Sequence, residues 1–268
     1  MSILDRIARL AVVLLAWAGL VFLTLPLVII VATSFTETEF LKFPPVGFTW
    51  RWYGAFLDDP SYLSSIWTSV SIAGLATMMA VVIGILVALV ISRSEMRGRR
   101  LLNTVFIAPL ILPTIVIGAA LLQYASALGF ARSFFALVVG HTVIVVPYVL
   151  RTVLASLERF DRSLEEASYD LGSNAVSTFF FIPLPIIKPG LVAGALFAFI
   201  ISWINVELSI FNSTAQLMPI PVKLFNYVQY AVDPMLAAVS AATIYVAVIA
   251  VIVLDIFVGI DRVAASQK

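Results

Sequence analysis

Residues 159–190 read RFDRSLEEASYDLGSNAVSTFFFIPLPIIKPG and form a polar island between two long apolar runs. With the preceding Glu158, the island gathers Asp161, Glu165, Glu166 and Asp170 in a chain that holds only 15 acids and is 62% hydrophobic and 12% charged. Acids clustered ahead of a glycine and a Pro-x-Pro-x-x-x-Pro run are not leftover surface; the segment reads as a docking device. Asp161 or Ser163 can cap a helix reaching Leu171, because a short side-chain oxygen accepts the orphan amide hydrogens of a first turn, and Glu165 and Glu166 then lie at the positive end of its dipole. Gly172 suits a left-handed C-terminal cap, and Ser173 or Asn174 can cap a second short helix. Pro183, Pro185 and Pro189 lack amide donors and disfavour a smooth helical continuation. A compact elbow is expected.

Outside the island the chain is strongly apolar: mean hydropathy is +1.09 over 268 residues, which makes it a multispanning all-α membrane protein. A formal net charge of +1 gives no bias toward nucleic acid. The absence of cysteine excludes disulfides, thiolate metal sites and a cysteine nucleophile, and the lone His141 excludes a multi-histidine metal centre. Crossing about 30 Å of hydrocarbon takes about 20 apolar residues, and six runs qualify: 8–34, 66–91, 101–122, 134–153, 190–211 and 235–259, in a single transmembrane domain over 1–268. The first is too long for a signal-peptide core and is followed by no good small-x-small cleavage site, so it reads as an uncleaved span. Pro109 and Pro113 predict a bent third span.

Orientation follows from lysine and arginine. A cytoplasmic N-terminus puts Arg6, Arg9, Arg93, Arg97, Arg99, Arg100, Arg151, Arg159, Arg162, Lys188, Arg262 and Lys268 inside and leaves only Lys42, Arg51, Arg132 and Lys223 outside. Both termini and the island, taken as 158–189, are then cytoplasmic.

The island, so placed, resembles the EAA loop of binding-protein-dependent ABC importer permeases. That family's pattern is Glu-Ala-Ala, three residues, Gly, nine residues, Ile-x-Leu-Pro. Here Glu166-Ala167-Ser168, Gly172 and Ile182-Pro183-Leu184-Pro185 match at that spacing, with Ser168 the one departure. The stretches LPTIVIGAALL (112–122), WINVELSIF (203–211) and MPIPVKLFNYVQYAVDPMLAAVS (218–240) are similar to the subgroup that includes spermidine and putrescine importers. The resemblance implies a type I, MetI-like permease in a bacterial cytoplasmic (inner) membrane. Its implied partners are an ABC ATPase dimer, a second permease that is homologous or identical, and an extracytoplasmic solute-binding protein. No cofactor is implied in this chain. It holds no Gly-x4-Gly-Lys-Ser/Thr loop, so ATP and Mg belong to the ATPase and the chain itself is not an enzyme.

Leu164, Ala167, Ser168 and Leu171 share a face at helical spacing. That face, with Glu166 and Gly172, is the expected ATPase-coupling surface. A helix lying on lipid is the alternative, and its acids argue against that. For the solute path the candidates are Asn205 and Glu207, 15 to 17 residues or about 25 Å along the fifth span, with Gln123 and Tyr124 at the outer end of the third. An acid within a span is costly and suggests a cationic solute, although Glu207 can equally be a paired interfacial residue. His141 reads as a neutral imidazole bonded to a carbonyl or hydroxyl, Asp255 as a partner of Arg151 or Arg262, and Trp50, Trp52 and Tyr53 as an interfacial belt. A stand-alone secondary transporter or channel would show midplane charges or internal repeats, and an integral-membrane enzyme a cluster of acids, histidine or serine; neither is found. An aminophosphonate, an opine or ferric ion stays open as cargo beside a polyamine.

Overall fold

The computed structural model describes residues 3–93, 96–158 and 160–258, apart from the side chains of residues 3, 4, 6 and 254–258. Among them there is no strand. Twelve α-helices follow in order: α1 (Ile3–Thr33), α2 (Arg51–Asp58), α3 (Pro60–Arg93), α4 (Arg99–Ile107), α5 (Thr114–Ala127), α6 (Phe134–Leu157), α7 (Ser163–Asp170), α8 (Ala175–Phe181), α9 (Pro183–Trp203), α10 (Ser209–Asn212), α11 (Ile220–Val228) and α12 (Pro234–Val258). Helices α1, α3, α6, α9 and α12 are long and apolar enough to cross a membrane. Among the described residues, α4 and α5 make the sixth candidate span only as a broken pair, turning by 106°.

That turn is sharper than the bend expected over 101–122. Pro109 sits in a 3-10 turn, Ala108–Leu110, and Pro113 stands at the N-cap of α5 with ψ 126°. Each proline removes an amide donor, and Pro113 also pushes Leu112 out of the α region, so the two together end one helix and start another. The fifth span also shifts. It begins at Pro183 and ends at Trp203, seven or eight residues before the expected 190–211 run. Proline is tolerated in a first turn because those amides have no intrahelical acceptor anyway. Pro183 and Pro185 therefore open the span, and Asn205 and Glu207 fall beyond its far end.

The described residues fall into two compact units. One comprises Met1–Leu63 and Leu224–Val246, the other Ser64–Lys223 and Ala247–Lys268. In the first, Phe35, Phe48, Trp50, Tyr53, Phe56 and Tyr62 form a chain of ring contacts with centroids 4.9 to 6.4 Å apart. Tyr53 is buried in it. Its hydroxyl lies 2.7 Å from Ser34 Oγ and 3.3 Å from Tyr245 Oη, and burial pushes its acidity well below that of a free phenol. The residues expected as an interfacial belt thus include a packed aromatic core.

In the second unit α6 is the central rod. Val145, Val149, Leu150 and Val153 are fully buried, and the neighbouring helices meet them through small residues. Ala76, Ala80, Gly84 and Ala88 recur every four residues on α3, and Gly190, Gly194 and Ala198 do so on α9; every alanine in the two rows is fully buried. A Cβ on Gly84 would come within 2.8 Å of Val149 Cγ1, and one on Gly190 within 2.1 Å of Ser156 Oγ and 2.6 Å of the Thr152 carbonyl. Small residues four apart let helices approach closely in lipid, where dispersion contacts rather than water expulsion hold them together. Helices α6 and α9 are packed as one unit, and the island is the link between them.

Candidate functional site: a docking elbow and a polar far end

The island folds as an elbow whose two ends are tied down separately. At its start Asp161 Oδ1 accepts the Ser163 amide at 3.0 Å, one residue ahead of the N-cap position itself, which is Arg162. Hydrogen bonds from Ser163 hold the Asp161 carboxyl below the usual carboxylate range. Glu165 and Glu166 occupy the first turn of α7, as the dipole favours.

The end of α7 is closed by a Schellman motif. The Ser173 amide donates to the Ser168 carbonyl at 3.1 Å and the Gly172 amide to that of Tyr169 at 2.8 Å. Gly172 has φ +86°, and a Cβ there would meet nothing within 4 Å. Its role is conformational, not steric. Asn174 then caps α8, its Oδ1 accepting the Ser177 amide at 2.8 Å.

Two ties fix α7 to the body. Glu165 is buried and pairs with Arg93 at the end of α3, and Arg162 donates to the Ser92 carbonyl beside it. Ser168 Oγ lies 3.0 Å from Thr178 Oγ1, joining α7 to α8. Ser168 therefore turns inward with Glu165. Leu164, Ala167 and Leu171 face outward with Glu166, and Leu171 is 88% exposed. The face is apolar and exposed and lies beside the exposed carboxylate of Glu166, a composition suited to an interaction surface. Arg93 and Glu165 lie 72 residues apart, so no local pattern could announce the pair.

The far end of α9 is a second polar region. His141 is fully buried on α6; its Nδ1 lies 2.7 Å from Ser202 Oγ and its Nε2 2.9 Å from Ser209 Oγ. One ring thus joins the end of α9 to α10. Asn205 Oδ1 accepts the Leu208 amide at 2.9 Å and its carbonyl accepts the Ser209 hydroxyl at 2.8 Å, so its acceptors serve the turn. Glu207 is exposed in that turn. Its carbonyl approaches α5 at Gly118, where a Cβ would come within 3.1 Å. Gln123 and Tyr124 are exposed further along α5. Glu207, Gln123 and Tyr124 lie on adjoining elements without touching each other through any hydrogen bond. The side chain of Asp255 and the whole of Arg262, expected to pair, lie outside the described residues.

Comparison with known proteins gives this geometry a family. The chain is 31% identical over 229 residues to the putrescine transport system permease protein PotI of Escherichia coli K12, covering 83% of this chain and 81% of that one. It is 30% identical over 224 residues to the spermidine/putrescine transport system permease protein PotC of Haemophilus influenzae, covering 83% and 86%. The fold matches a chain from the crystal structure of a bacterial ABC transporter involved in the import of the acidic polysaccharide alginate with a TM-score of 0.72 at 18% identity, over 97% of this chain and 98% of that one. The family described as binding-protein-dependent transport system inner membrane component matches residues 80–262, from the middle of α3 through the elbow and beyond α12. The chain belongs to that family.

Proposed function

We propose that this chain is the membrane-spanning permease subunit of an ATP-driven importer, and that its cargo is a polyamine or a similar small organic cation. The observation that carries the first part is the exposed face Leu164–Ala167–Leu171 with Glu166, on a helix tied by Arg93 to one span and continuous through α8 with another. Such a face can receive a push from a cytoplasmic ATPase and pass it on, because packed helices move as units. Helix α9 is the natural recipient, since its small-residue row seats it on α6. ATP and Mg are bound in that ATPase, a second permease completes the path, and an extracytoplasmic binding protein delivers the solute. We read the chain as one transmembrane domain with the elbow and both termini in the cytoplasm, an orientation that the distribution of arginines supports.

The cation reading is supported by the relatives, named for putrescine and spermidine, and by the exposed carboxylate of Glu207 in the turn after α9. Co-purification tests the docking role. The wild-type chain retains an ATPase subunit, and Leu171→Asp, which puts a charge on the outward face without touching a packed residue, loses it while still inserting into the membrane. Undiminished retention of the ATPase by Leu171→Asp removes the elbow from the docking interface.

A further inference from the structure

Where α3 ends and α4 begins, the second unit holds an open cavity of 560 Å3. Four arginines are among the residues that line it, Arg93, Arg99, Arg100 and Arg162, together with Asn103 and Glu158. Arg93 is engaged by Glu165, and Arg162 by the Ser92 carbonyl. Arg99 and Arg100 form no ion pair among the described residues. They stand in the first turn of α4, whose N-cap residue Gly98 offers no side-chain acceptor. Cations are disfavoured at that end of a helix dipole, so the turn and its two arginines together call for an anion. One turn along, Asn103 Oδ1 is buried with no hydrogen-bond partner.

The position of the cavity narrows the class of anion. Helices α3 and α6 are candidate spans, and the cavity lies at their ends, at the level of a membrane surface. Arg93 also lines an apolar groove of 580 Å3, together with Leu86, Leu89, Val176, Phe180 and Leu184. We propose that this cavity is a binding site for an anionic glycerophospholipid. Arg99 and Arg100 hold its phosphate, Asn103 Oδ1 accepts a hydrogen bond from a headgroup hydroxyl, and the groove beyond Arg93 takes an acyl chain. Basic pockets between spans are suited to such headgroups, since each arginine gains from the phosphate and from the negative surface around it. Inorganic phosphate shares the first contact but has no use for the groove. Two arginines of the cavity wall, Arg93 and Arg162, are also those that fasten α7, so an occupied cavity bears directly on the docking elbow. Only this last consequence rests on the permease reading.

The test uses the complex purified in detergent, stripped of native lipid and offered phosphatidylglycerol or phosphatidylcholine, with retained lipid counted by native mass spectrometry. Phosphatidylglycerol is retained preferentially, and Arg99→Gln with Arg100→Gln lowers that retention by about tenfold to thirtyfold, from about 1 kcal/mol per arginine near a charged surface. Phosphatidylcholine retention stays unchanged, and millimolar inorganic phosphate does not displace the lipid. Asn103→Leu gives an independent arm: it erases the preference for phosphatidylglycerol over phosphatidic acid, which lacks the headgroup hydroxyl. Equal retention of the two lipids, an unaltered preference in either variant, or displacement by inorganic phosphate overturns the site. Because binding is read without transport, these outcomes are separate from whether the complex imports anything.

Discussion

Substituting either partner of the Arg93–Glu165 pair should disconnect the elbow from α3, and the two substitutions should not cost the same. The side chain of Glu165 is 10% exposed and that of Arg93 29% exposed. Glu165→Gln leaves a guanidinium that can turn toward water, so the loss is that of a partly screened pair, about 1 to 2 kcal/mol. Arg93→Leu instead strands a nearly buried carboxylate, whose removal from water without a partner costs about 3 to 5 kcal/mol. Hydrogen exchange of the α7 amides reads the local loosening directly, since 1.4 kcal/mol corresponds to about a tenfold change in an opening equilibrium. Exchange should accelerate by about tenfold in Glu165→Gln and by a hundredfold or more, on the order of the stranded-charge cost, in Arg93→Leu. Uptake per ATP hydrolysed in proteoliposomes should fall in the same order. The charge-swapped double variant, Arg93→Glu with Glu165→Arg, should recover part of both. Equal exchange in the wild type and Arg93→Leu, or a double variant no better than its singles, refutes the tie.

Three further outcomes follow from the same geometry. Gly172→Ala meets no atom within 4 Å, so its cost is the left-handed backbone alone, about 1 to 2 kcal/mol; Gly172→Asn should cost less, and a calorimetric midpoint of the complex separates the two. Gly190→Ala drives a methyl to within 2.1 Å of Ser156 Oγ and 2.6 Å of a backbone oxygen, which overpacks the α6–α9 seam and should destabilise by about 1 to 3 kcal/mol. Gly190→Ala with Ser156→Ala should recover only part of this, because the Thr152 carbonyl cannot withdraw. His141→Leu leaves the Ser202 hydroxyl without its partner, at about 1 to 3 kcal/mol for a buried group left unsatisfied, while the Ser209 hydroxyl keeps its bond to the Asn205 carbonyl. Proteolysis in the Ile204–Asn212 turn should become faster in that variant.

The features that sequence exposes are those written locally. The elbow is legible because its glycine, its Asn174 cap and its spacing lie within thirty or so residues, about the length of one helix–turn–helix unit. Four of the spans are legible because a run of about 20 apolar residues has few alternatives. Proline carries two meanings: Pro183 and Pro185 look like stops, yet a first turn tolerates them, and the fifth span therefore begins earlier and excludes Asn205 and Glu207. Pro109 and Pro113, read as a bend, make a 106° turn because they act in series. The inward turn of Ser168 depends on Thr178 across the Gly172 corner, and helical periodicity alone cannot distinguish it from Leu164 and Leu171. The small-residue rows on α3 and α9 are visible as patterns, but only the folded chain shows that both meet α6. The Arg93–Glu165 tie had no sequence signal at all.

Under the proposed function, solute crosses only when a separate ATPase drives this chain through the elbow. The most direct measurement is uptake of radiolabelled putrescine into proteoliposomes holding the chain with its co-purified partners, binding protein outside and ATP inside. Uptake should require ATP and be abolished by Leu171→Asp. Putrescine uptake by the chain alone, without ATP, would contradict it.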